Sequence, residues 1–430
     1  MRPKGKTILL SAYACEPNRG SEPGIGWNWA VELTALGHEV WVLTQPEHAP
    51  AIARALEQAP MDRLHVRYVG VPGLDHWSRM PGRLSSVCYL LHVFVWQWLA
   101  YLEARALTRR IRFDLVHHLT MGSIRVPCWM GQLGIPFLYG PVAGGDCPPK
   151  ALRASFPAKA RRYEALRDLA NLWIRLDPLL QQTFRRATAI LTATPQTRQL
   201  LPRCYQGKAT VQLAIGTPPV TTEHGPRQRP PGELRLMFAG RLLSWKGLHL
   251  ALRALSELRR EVPGASLTVI GSGPDEAWLK GLAAELGLEG AVDWIPWLPQ
   301  EEVLKAYARH DVFLFPSMRD SGGMVVLEAL GNGLPVICLD LGGPGAIVDA
   351  TCGRIVPTHG KGEREIVTGL HSALASLARD PDRLKQLSAG ARARAEQFTW
   401  RRLVRHTYDA LWRSLESSGP SWSDGVASAR

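Results

Sequence analysis

The sequence lacks the cysteine spacing of a disulfide framework or a zinc site. Its seven cysteines are scattered, odd in number and without a Cys-x-x-Cys pair, so neither site is predicted and a reducing, cytoplasmic setting fits best. A run of about 20 apolar residues, which a membrane-spanning helix needs, is also missing. The nearest stretch, residues 87–102, includes His92 and Gln97. It is predicted either to be a buried helix or to lie in the surface of a bilayer.

Negative charge is scarce in the first half of the chain. Residues 1–230 carry 28 Lys and Arg against 15 Asp and Glu, which is +13, whereas residues 231–430 carry 23 of each. A basic half favours an anionic partner, such as an acidic membrane surface, a phosphorylated acceptor or nucleic acid. The alternative is surface charge that serves solubility alone.

Strand and helix patterns alternate in two series that are separated by a break. Residues 216–232, GTPPVTTEHGPRQRPPG, are rich in Pro, Gly and Thr, which is typical of a linker. Alternation of this kind predicts βαβ units and parallel sheets, and 430 residues are too many for one core. The expected fold is therefore α/β, with two Rossmann-like doubly wound domains that face each other across a cleft.

The predicted domain boundaries follow from these patterns. Residues 1–222 form a first domain, residues 223–232 a linker and residues 233–395 a second domain. Residues 396–416 form a helix, and residues 417–430 a Ser- and Gly-rich tail that is expected to be disordered.

The segment FAGRLLSWKGLHLAL, residues 238–252, predicts an anion site. A strand ends at Gly240, Arg241 follows, and Lys246 comes just before a helix. Two cations at a strand end beside a helix N-terminus suit a diphosphate. A surface loop that carries two cations and binds no ligand is the alternative.

A second motif, FPSMRDSGGMVVLEALGNGLPVI, spans residues 315–337. Ser321, Gly322 and Gly323 predict a tight turn into a helix, whose free N–H groups can receive phosphate oxygens. Asp320 precedes the turn, and Glu328 lies two turns into the helix, where a carboxylate can accept hydrogen bonds from ribose hydroxyls. The alternatives are a helix cap for Asp320 and an ordinary polar helix residue for Glu328.

Together with IGSGP at 270–274, the DVFLFPS strand and GNGLPVI, these motifs resemble the group 1, family-4 type of retaining glycosyltransferases, which have the GT-B fold. The resemblance implies that Arg241 and Lys246 hold the donor diphosphate and that Glu328 binds its ribose. The family usually has Glu near the donor sugar hydroxyls where this chain has Asp320. It often has a further Glu near the position of Ala346. The resemblance also implies that the first domain is the acceptor side and that the second binds the nucleotide sugar. It further implies that the helix at 396–416 crosses back onto the first domain.

Two motifs in the first half extend the resemblance. PNRGSEPGIGWNWA, residues 17–30, resembles the family's N-terminal glycine loop, which places Gly24 and Gly26 near the donor phosphate, ahead of a helix from about residue 27. FDLVHHLTMGS, residues 113–123, resembles a strand-end histidine motif that touches the donor sugar. Neighbours on a strand point to opposite faces, so only one of His117 and His118 is expected to face the cleft, with a slight preference for His118. Either histidine could instead serve the core or the surface.

The expected reaction needs no metal. No Asp-x-Asp motif follows a strand, and Asp380 is predicted to cap a helix. The resemblance implies a retaining hexosyltransferase with His118, His117 and Asp320 in catalytic roles and no tightly bound cofactor. Its donor would be a UDP- or GDP-sugar and its acceptor a glycan or a lipid-linked polysaccharide precursor, in the cytoplasm or on the inner membrane face. The alternatives are a nucleotide-sugar epimerase, a phosphorylase, or a non-catalytic binding protein.

Overall fold

The computed structural model describes residues 5–73, 85–218 and 232–417. Most of the predicted linker, residues 223–231, and the tail at 418–430 lie outside the described residues. Within them the chain forms two parallel sheets of seven and six strands with helices on their faces. This confirms the predicted α/β fold class.

The first sheet has the strand order β3-β2-β1-β4-β5-β6-β7, and all its pairings are parallel. Its strands are β1 Thr7–Ala12, β2 Glu39–Thr44, β3 Leu64–Tyr68, β4 Leu115–Thr120, β5 Phe137–Val142, β6 Ala189–Thr192 and β7 Ala209–Val211. The helices of this part are α1 Ser21–Ala35, α2 Ala49–Gln58, α3 Ser85–Leu107, α4 Ala158–Trp173, α5 Pro178–Arg186, α6 Pro195–Leu200 and α7 Arg203–Gln206.

The second sheet has the order β10-β9-β8-β11-β12-β13 and is again parallel. Its strands are β8 Glu233–Ala239, β9 Gly264–Ile270, β10 Val292–Ile295, β11 Val312–Phe315, β12 Val336–Leu339 and β13 Gly353–Val356. Its helices are α8 Leu248–Leu258, α9 Glu276–Glu285, α10 Gln300–Arg309, α11 Met324–Gly331, α12 Gly342–Ile347, α13 Glu363–Arg379 and α14 Pro381–Ala395. Asp380 caps α14 by accepting the amide N–H of Arg383 at 2.8 Å, as the sequence predicted.

Buried apolar side chains cover both faces of the first sheet. One cluster joins side chains of the sheet to α3 and α5, with Trp96 and Phe184 fully buried. The other packs α1 on the opposite face and continues into the second domain. Burial on both faces is what a parallel sheet requires.

The last helix, α15 Trp400–Ser417, returns to the first domain. The Tyr408 hydroxyl lies 2.8 Å from the Nδ1 atom of His117 on β4. Trp29 of α1 packs against both rings. The helix therefore ties the C-terminal segment to the first sheet, as the fold class predicted.

The apolar stretch at residues 87–102 lies within α3, which has a buried face and an exposed face. Val93, Trp96 and Ala100 are fully buried, whereas Leu90 and Leu91 are about half exposed. Among the helices described, none has the length and apolar character needed to cross a membrane.

Candidate functional site

A cavity of about 510 Å³ lies between the carboxyl ends of the two sheets. Ligands of open parallel sheets bind at this edge, where the strand order reverses. Residues of the first domain that line it are Gly20, Ser21, Glu22, Ile25, Leu119, Thr120, Gly122, Pro141, Ala143, Ala193, Ala214 and Ile215. Residues of the second domain that line it are Ala239, Gly240, Lys246, Phe315, Asp320, Ser321, Gly322, Gly323, Met324, Val325 and Glu328.

One carboxylate organises the wall on the second domain. The Oδ2 atom of Asp320 lies 2.6 Å from the Lys246 ammonium, and its Oδ1 atom accepts the amide N–H groups of Gly322 and Gly323 at 3.1 and 2.8 Å. A cation and two amides at the start of α11 thus converge on one point. The same donors suit a phosphate.

Glycines allow the two loops to meet at this point. Gly247, directly after Lys246, has a φ of +75°, and a Cβ there would lie 1.9 Å from the Pro316 carbonyl oxygen. Gly323, directly before α11, has a φ of +72°, and a Cβ there would crowd Ile347 at 2.9 Å. Residues with side chains rarely adopt such a φ, so both positions fix the loop geometry.

Ser321 points toward the first domain. Its hydroxyl donates to the Oδ2 atom of Asp146 at 2.5 Å, and Asp146 is almost fully buried. The hydroxyl thus makes a contact between the domains, and Ser321 is also one of the residues that line the cavity.

Glu328 lies on the inner face of α11 and lines the cavity. The hydroxyl of Tyr307, on α10, donates to its Oε2 atom at 3.2 Å. Burial raises the pKa of the Glu328 carboxyl above its ordinary value. A contact of Glu328 with a ribose stays a prediction.

Arg241 follows Gly240, which lines the cavity. Its side chain is exposed, and its guanidinium has no hydrogen bond or ion pair with another described residue. Arg241 itself does not line the cavity. An exposed, uncommitted cation beside the cavity keeps its donors available for an anion.

Both histidines of β4 are fully buried, and neither lines the cavity. The ring of His117 is bonded at both nitrogens, to the Tyr408 hydroxyl and, at 2.5 Å, to the Gly140 carbonyl. The ring of His118 stacks on Tyr139 on the other face of the sheet, with contacts to the Ser11 hydroxyl and the Met121 carbonyl.

Burial lowers the pKa of His117 to about 3 and that of His118 to about 4, so both rings are neutral at physiological pH. The two side chains do point to opposite faces, but neither ring reaches the cavity wall. Leu119 and Thr120 line it instead. A direct catalytic contact from either ring stays a prediction.

Gly24 and Gly26 lie inside α1, which begins at Ser21, about six residues earlier than expected. A Cβ at Gly24 would lie 2.0 Å from the Arg19 carbonyl oxygen, and one at Gly26 would lie 2.2 Å from that of Ala14. These glycines let α1 pack closely on the segment before it. The cavity is lined here by the residues at the start of the helix.

Glu22 is a cavity residue that the sequence analysis missed. Its Oε1 atom accepts the amide N–H of Gly122 at 2.7 Å, and burial raises the pKa of its carboxyl. It lies on the first-domain wall, whereas Asp320 lies on the second-domain wall. An acidic residue in the first turn of a helix is the signal that could have found it, once the helix start was known.

In the described part of the chain, no group of three or more His, Cys, Asp or Glu side chains could hold a metal ion.

Two families match adjoining parts of the chain. The "Glycosyl transferase 4-like domain" matches residues 26–218, and "Glycosyl transferases group 1" matches residues 219–394. A D-inositol 3-phosphate glycosyltransferase from Saccharomonospora viridis is 31% identical over 322 residues, which are 70% of this chain and 69% of that protein. Two further proteins of that name, from Nocardia farcinica and Rhodococcus erythropolis, are 34% and 33% identical over 44% and 46% of this chain, which are 41% and 44% of their own length.

Solved structures resemble the whole chain. A sucrose-phosphate synthase from Thermosynechococcus elongatus gives a TM-score of 0.61 at 17% identity, over 96% of this chain and 100% of that one. HepE of Anabaena in complex with UDP and glucose gives 0.59 at 14% identity, over 95% and 100%. At these identities the likeness establishes the fold alone.

Proposed function

This chain belongs to the group 1 glycosyl transferases, and we propose from this that it transfers a sugar, with retention of configuration, from a nucleoside diphosphate sugar to an acceptor held by the first domain. The observation that carries the proposal is the convergence of the Lys246 ammonium and the two amides just before α11, those of Gly322 and Gly323, on the wall of the interdomain cavity. Such an arrangement suits a diphosphate, because its donors are already oriented.

The donor would bind along the second-domain wall. In this proposal the diphosphate is held by the cations Lys246 and Arg241 and by the amides of Gly322 and Gly323. Ser321 lies beside it. The Glu328 carboxylate accepts hydrogen bonds from the ribose hydroxyls, for which its place on the cavity wall is suited. The cavity volume of about 510 Å³ lies within the range of small-molecule sites.

The Asp320 carboxylate occupies the donors that a phosphate would need. Donor binding therefore requires the Asp320 carboxylate to release the Lys246 ammonium or one of the two amides. The released carboxylate would then be able to contact the sugar hydroxyls. The chain has Asp where the family usually has Glu, so its reach is shorter. In this proposal Asp320 orients the donor sugar, with a side chain one methylene shorter than the family's Glu.

We propose a reaction on one face of the sugar, without a metal. The bond from the anomeric carbon to the diphosphate oxygen breaks, a bond to the acceptor oxygen forms on the same face, and the departing phosphate takes the acceptor proton. Lys246, Arg241 and the N-terminus of α11 stabilise the charge on the leaving diphosphate. His117 and His118, neutral and held on both sides of β4, would position the strand end that lines the cavity.

We further propose the donor base, the acceptor and the place of the reaction. The donor base would be uracil or guanine, and the acceptor would be a lipid-linked or cell-surface polysaccharide precursor at the inner membrane face. An epimerase or a phosphorylase on the same fold is the alternative enzyme. Release of nucleoside diphosphate only in the presence of an acceptor separates transfer from epimerisation.

The testing experiment is a thermal-shift screen of UDP, GDP and ADP and their sugars. The screen compares the wild type with Lys246→Ala and with a matched control, Lys280→Ala, whose ammonium pairs with Glu276 on the surface of α9. A bound ligand raises the free energy of unfolding by an amount that grows with the logarithm of its concentration over its dissociation constant. We expect a shift with one nucleotide series that Lys246→Ala loses and Lys280→Ala keeps. No shift with any nucleotide would overturn the donor site and favour a binding protein.

A further inference from the structure

Helix α4 exposes its apolar side chains and buries polar ones. Leu166, Leu169, Leu172 and Trp173 are each between 61% and 68% exposed, and Leu176, just after the helix, is 69% exposed. These five residues, defined here as the α4 apolar face, follow a helical spacing along one side. Surface helices of soluble domains show the opposite arrangement, and contiguous exposed apolar patches mark interaction sites.

The inner face of α4 is polar because its partners are polar. Glu164 is fully buried and pairs with Arg319 of the second domain at 2.6 Å. Asn171 contacts the guanidinium of Arg125 and donates to the Cys147 sulfur. These contacts fix the rotation of the helix, so the apolar side remains turned to solvent.

The surroundings of the α4 apolar face are basic. Residues 150–186 contain nine Lys and Arg against three Asp and Glu. All three acidic groups are engaged within the protein: Glu164 with Arg319, Asp168 with Arg153, and Asp177 as the cap of α5. Lys159 and Arg162 are exposed on α4 itself. The net charge that this region presents to a partner is therefore positive.

We propose that the α4 apolar face binds an anionic lipid bilayer, with the leucines and Trp173 in the headgroup region and the surrounding cations on acidic lipids. The combination of an apolar face and basic flanks is what interfacial helices use. A second copy of this chain would bring the same positive charges together, which disfavours a symmetric dimer through this face.

The location connects the bilayer with the acceptor side of the cavity. Arg125 and Arg167 both donate to the Gly144 carbonyl, at 2.8 and 2.6 Å, and Ala143 next to it lines the cavity. The polar side of α4 thus lies against the segment that forms the first-domain wall. This inference rests on the proposed function for the position of the acceptor, and it names the membrane as the place from which a lipid-borne acceptor enters.

The experiment measures cosedimentation of the full chain with vesicles of phosphatidylglycerol and phosphatidylcholine in equal parts, and with vesicles of phosphatidylcholine alone. Three double variants are compared with the wild type. Leu169→Gln/Leu172→Gln removes apolar contacts, Lys159→Gln/Arg162→Gln removes charge, and Leu90→Gln/Leu91→Gln changes the exposed face of α3 as a matched control. Thermal unfolding of each variant, with and without the nucleotide found in the screen, checks folding and the donor site without lipid.

We expect the wild type to bind the anionic vesicles only. The Leu169→Gln/Leu172→Gln variant should bind them at least about tenfold more weakly, and the Lys159→Gln/Arg162→Gln variant about fivefold more weakly for each cation removed. The α3 variant should bind nearly as the wild type does. Wild-type binding that is lost in the α3 variant and kept in the α4 variants would overturn the proposal, as would no binding at low salt. A concentration-dependent dimer that the α4 leucine pair disrupts would also overturn it. A lost nucleotide shift with intact vesicle binding would instead count against the proposed function alone.

Discussion

The Lys246 ammonium and the Asp320 carboxylate form an ion pair of 2.6 Å on the wall of the interdomain cavity, and each is less than one fifth exposed. The second carboxylate oxygen accepts two amides at the start of α11. A side chain of the protein thus neutralises the groups proposed to hold the diphosphate. Binding of a diphosphate is then an exchange of one anion for another.

Replacing Asp320 by Asn tests this exchange. The amide leaves Lys246 without its counter-charge, so we expect the nucleoside diphosphate alone to bind about fivefold more tightly, as a partly buried ion pair is worth roughly 1 kcal/mol. Sugar transfer should fall, because the orienting carboxylate is lost. Isothermal titration and initial rates measure the two effects. An unchanged affinity for the diphosphate would contradict the exchange.

Glu328 predicts a pH dependence of donor binding. Burial raises the pKa of its carboxyl, so the group takes up its proton at a higher pH than an exposed Glu does. Ribose hydroxyls donate to the ionised form, and we therefore expect donor affinity to fall as pH falls through this raised pKa. Glu328→Gln should bind about tenfold more weakly at neutral pH and lose the dependence. Titrations across mildly acidic pH measure both, and a parallel decline in the variant would exclude Glu328 as its source.

Where local pattern decides structure, the sequence was sufficient. The helix α11 begins at Met324, directly after the predicted turn at Ser321, Gly322 and Gly323, because the glycines form the turn and an apolar helix pattern follows. The loop with Lys246 and the loop with Asp320 meet because they follow β8 and β11, which are neighbours in one parallel sheet. Adjacent carboxyl ends follow from topology, and topology follows from the alternation of strands and helices.

Where distant segments decide, the sequence was insufficient. The segment around Gly24 and Gly26 has the composition of a loop, yet it is helical, because the glycines accommodate a close neighbour that only the fold brings near. His117 is buried because Tyr408, 291 residues later, covers it. The α4 leucines point outward because Glu164, on the opposite side of the helix, pairs with Arg319 of the second domain.

Gly26→Ala tests whether this glycine serves packing. Its Cβ would meet the Ala14 backbone oxygen at 2.2 Å. That oxygen is held in place because it accepts the hydroxyl of Thr120 on β4 at 2.8 Å, so we expect a loss of about 2–3 kcal/mol in the free energy of unfolding. Gly281→Ala is the matched control, since α9 leaves nothing within 4 Å of its Cβ. That change should stabilise by about 0.5–1 kcal/mol. Denaturant unfolding compares them, and equal effects would remove the packing explanation.

The contact of His117 with Tyr408 should couple α15 to β4. His117→Leu and Tyr408→Phe each remove one side of a buried hydrogen bond, and a double-mutant cycle should give a coupling of about 1 kcal/mol or more. The low pKa of His117, about 3 against an ordinary 6.5, means that the unfolded chain takes up the proton first. Stability should therefore fall as pH drops below about 6.5, and less steeply in His117→Leu. Additive single effects would show that the two side chains act independently.

The buried pair of Glu164 and Arg319 should hold the two domains together. Glu164 is fully buried, and Arg319 also lies 3.7 Å from the centre of the Trp245 ring. Glu164→Ala leaves the guanidinium without its counter-ion, and we expect a loss of about 3 kcal/mol or more, together with a larger radius of gyration as the domains separate. Glu301→Ala is the control, because its pair with Lys305 is exposed and worth at most about 1 kcal/mol. Thermal unfolding and small-angle scattering measure the two effects. If Glu164→Ala cost no more than the control, the association of the domains would depend on apolar contacts and on the bond from Ser321 to Asp146.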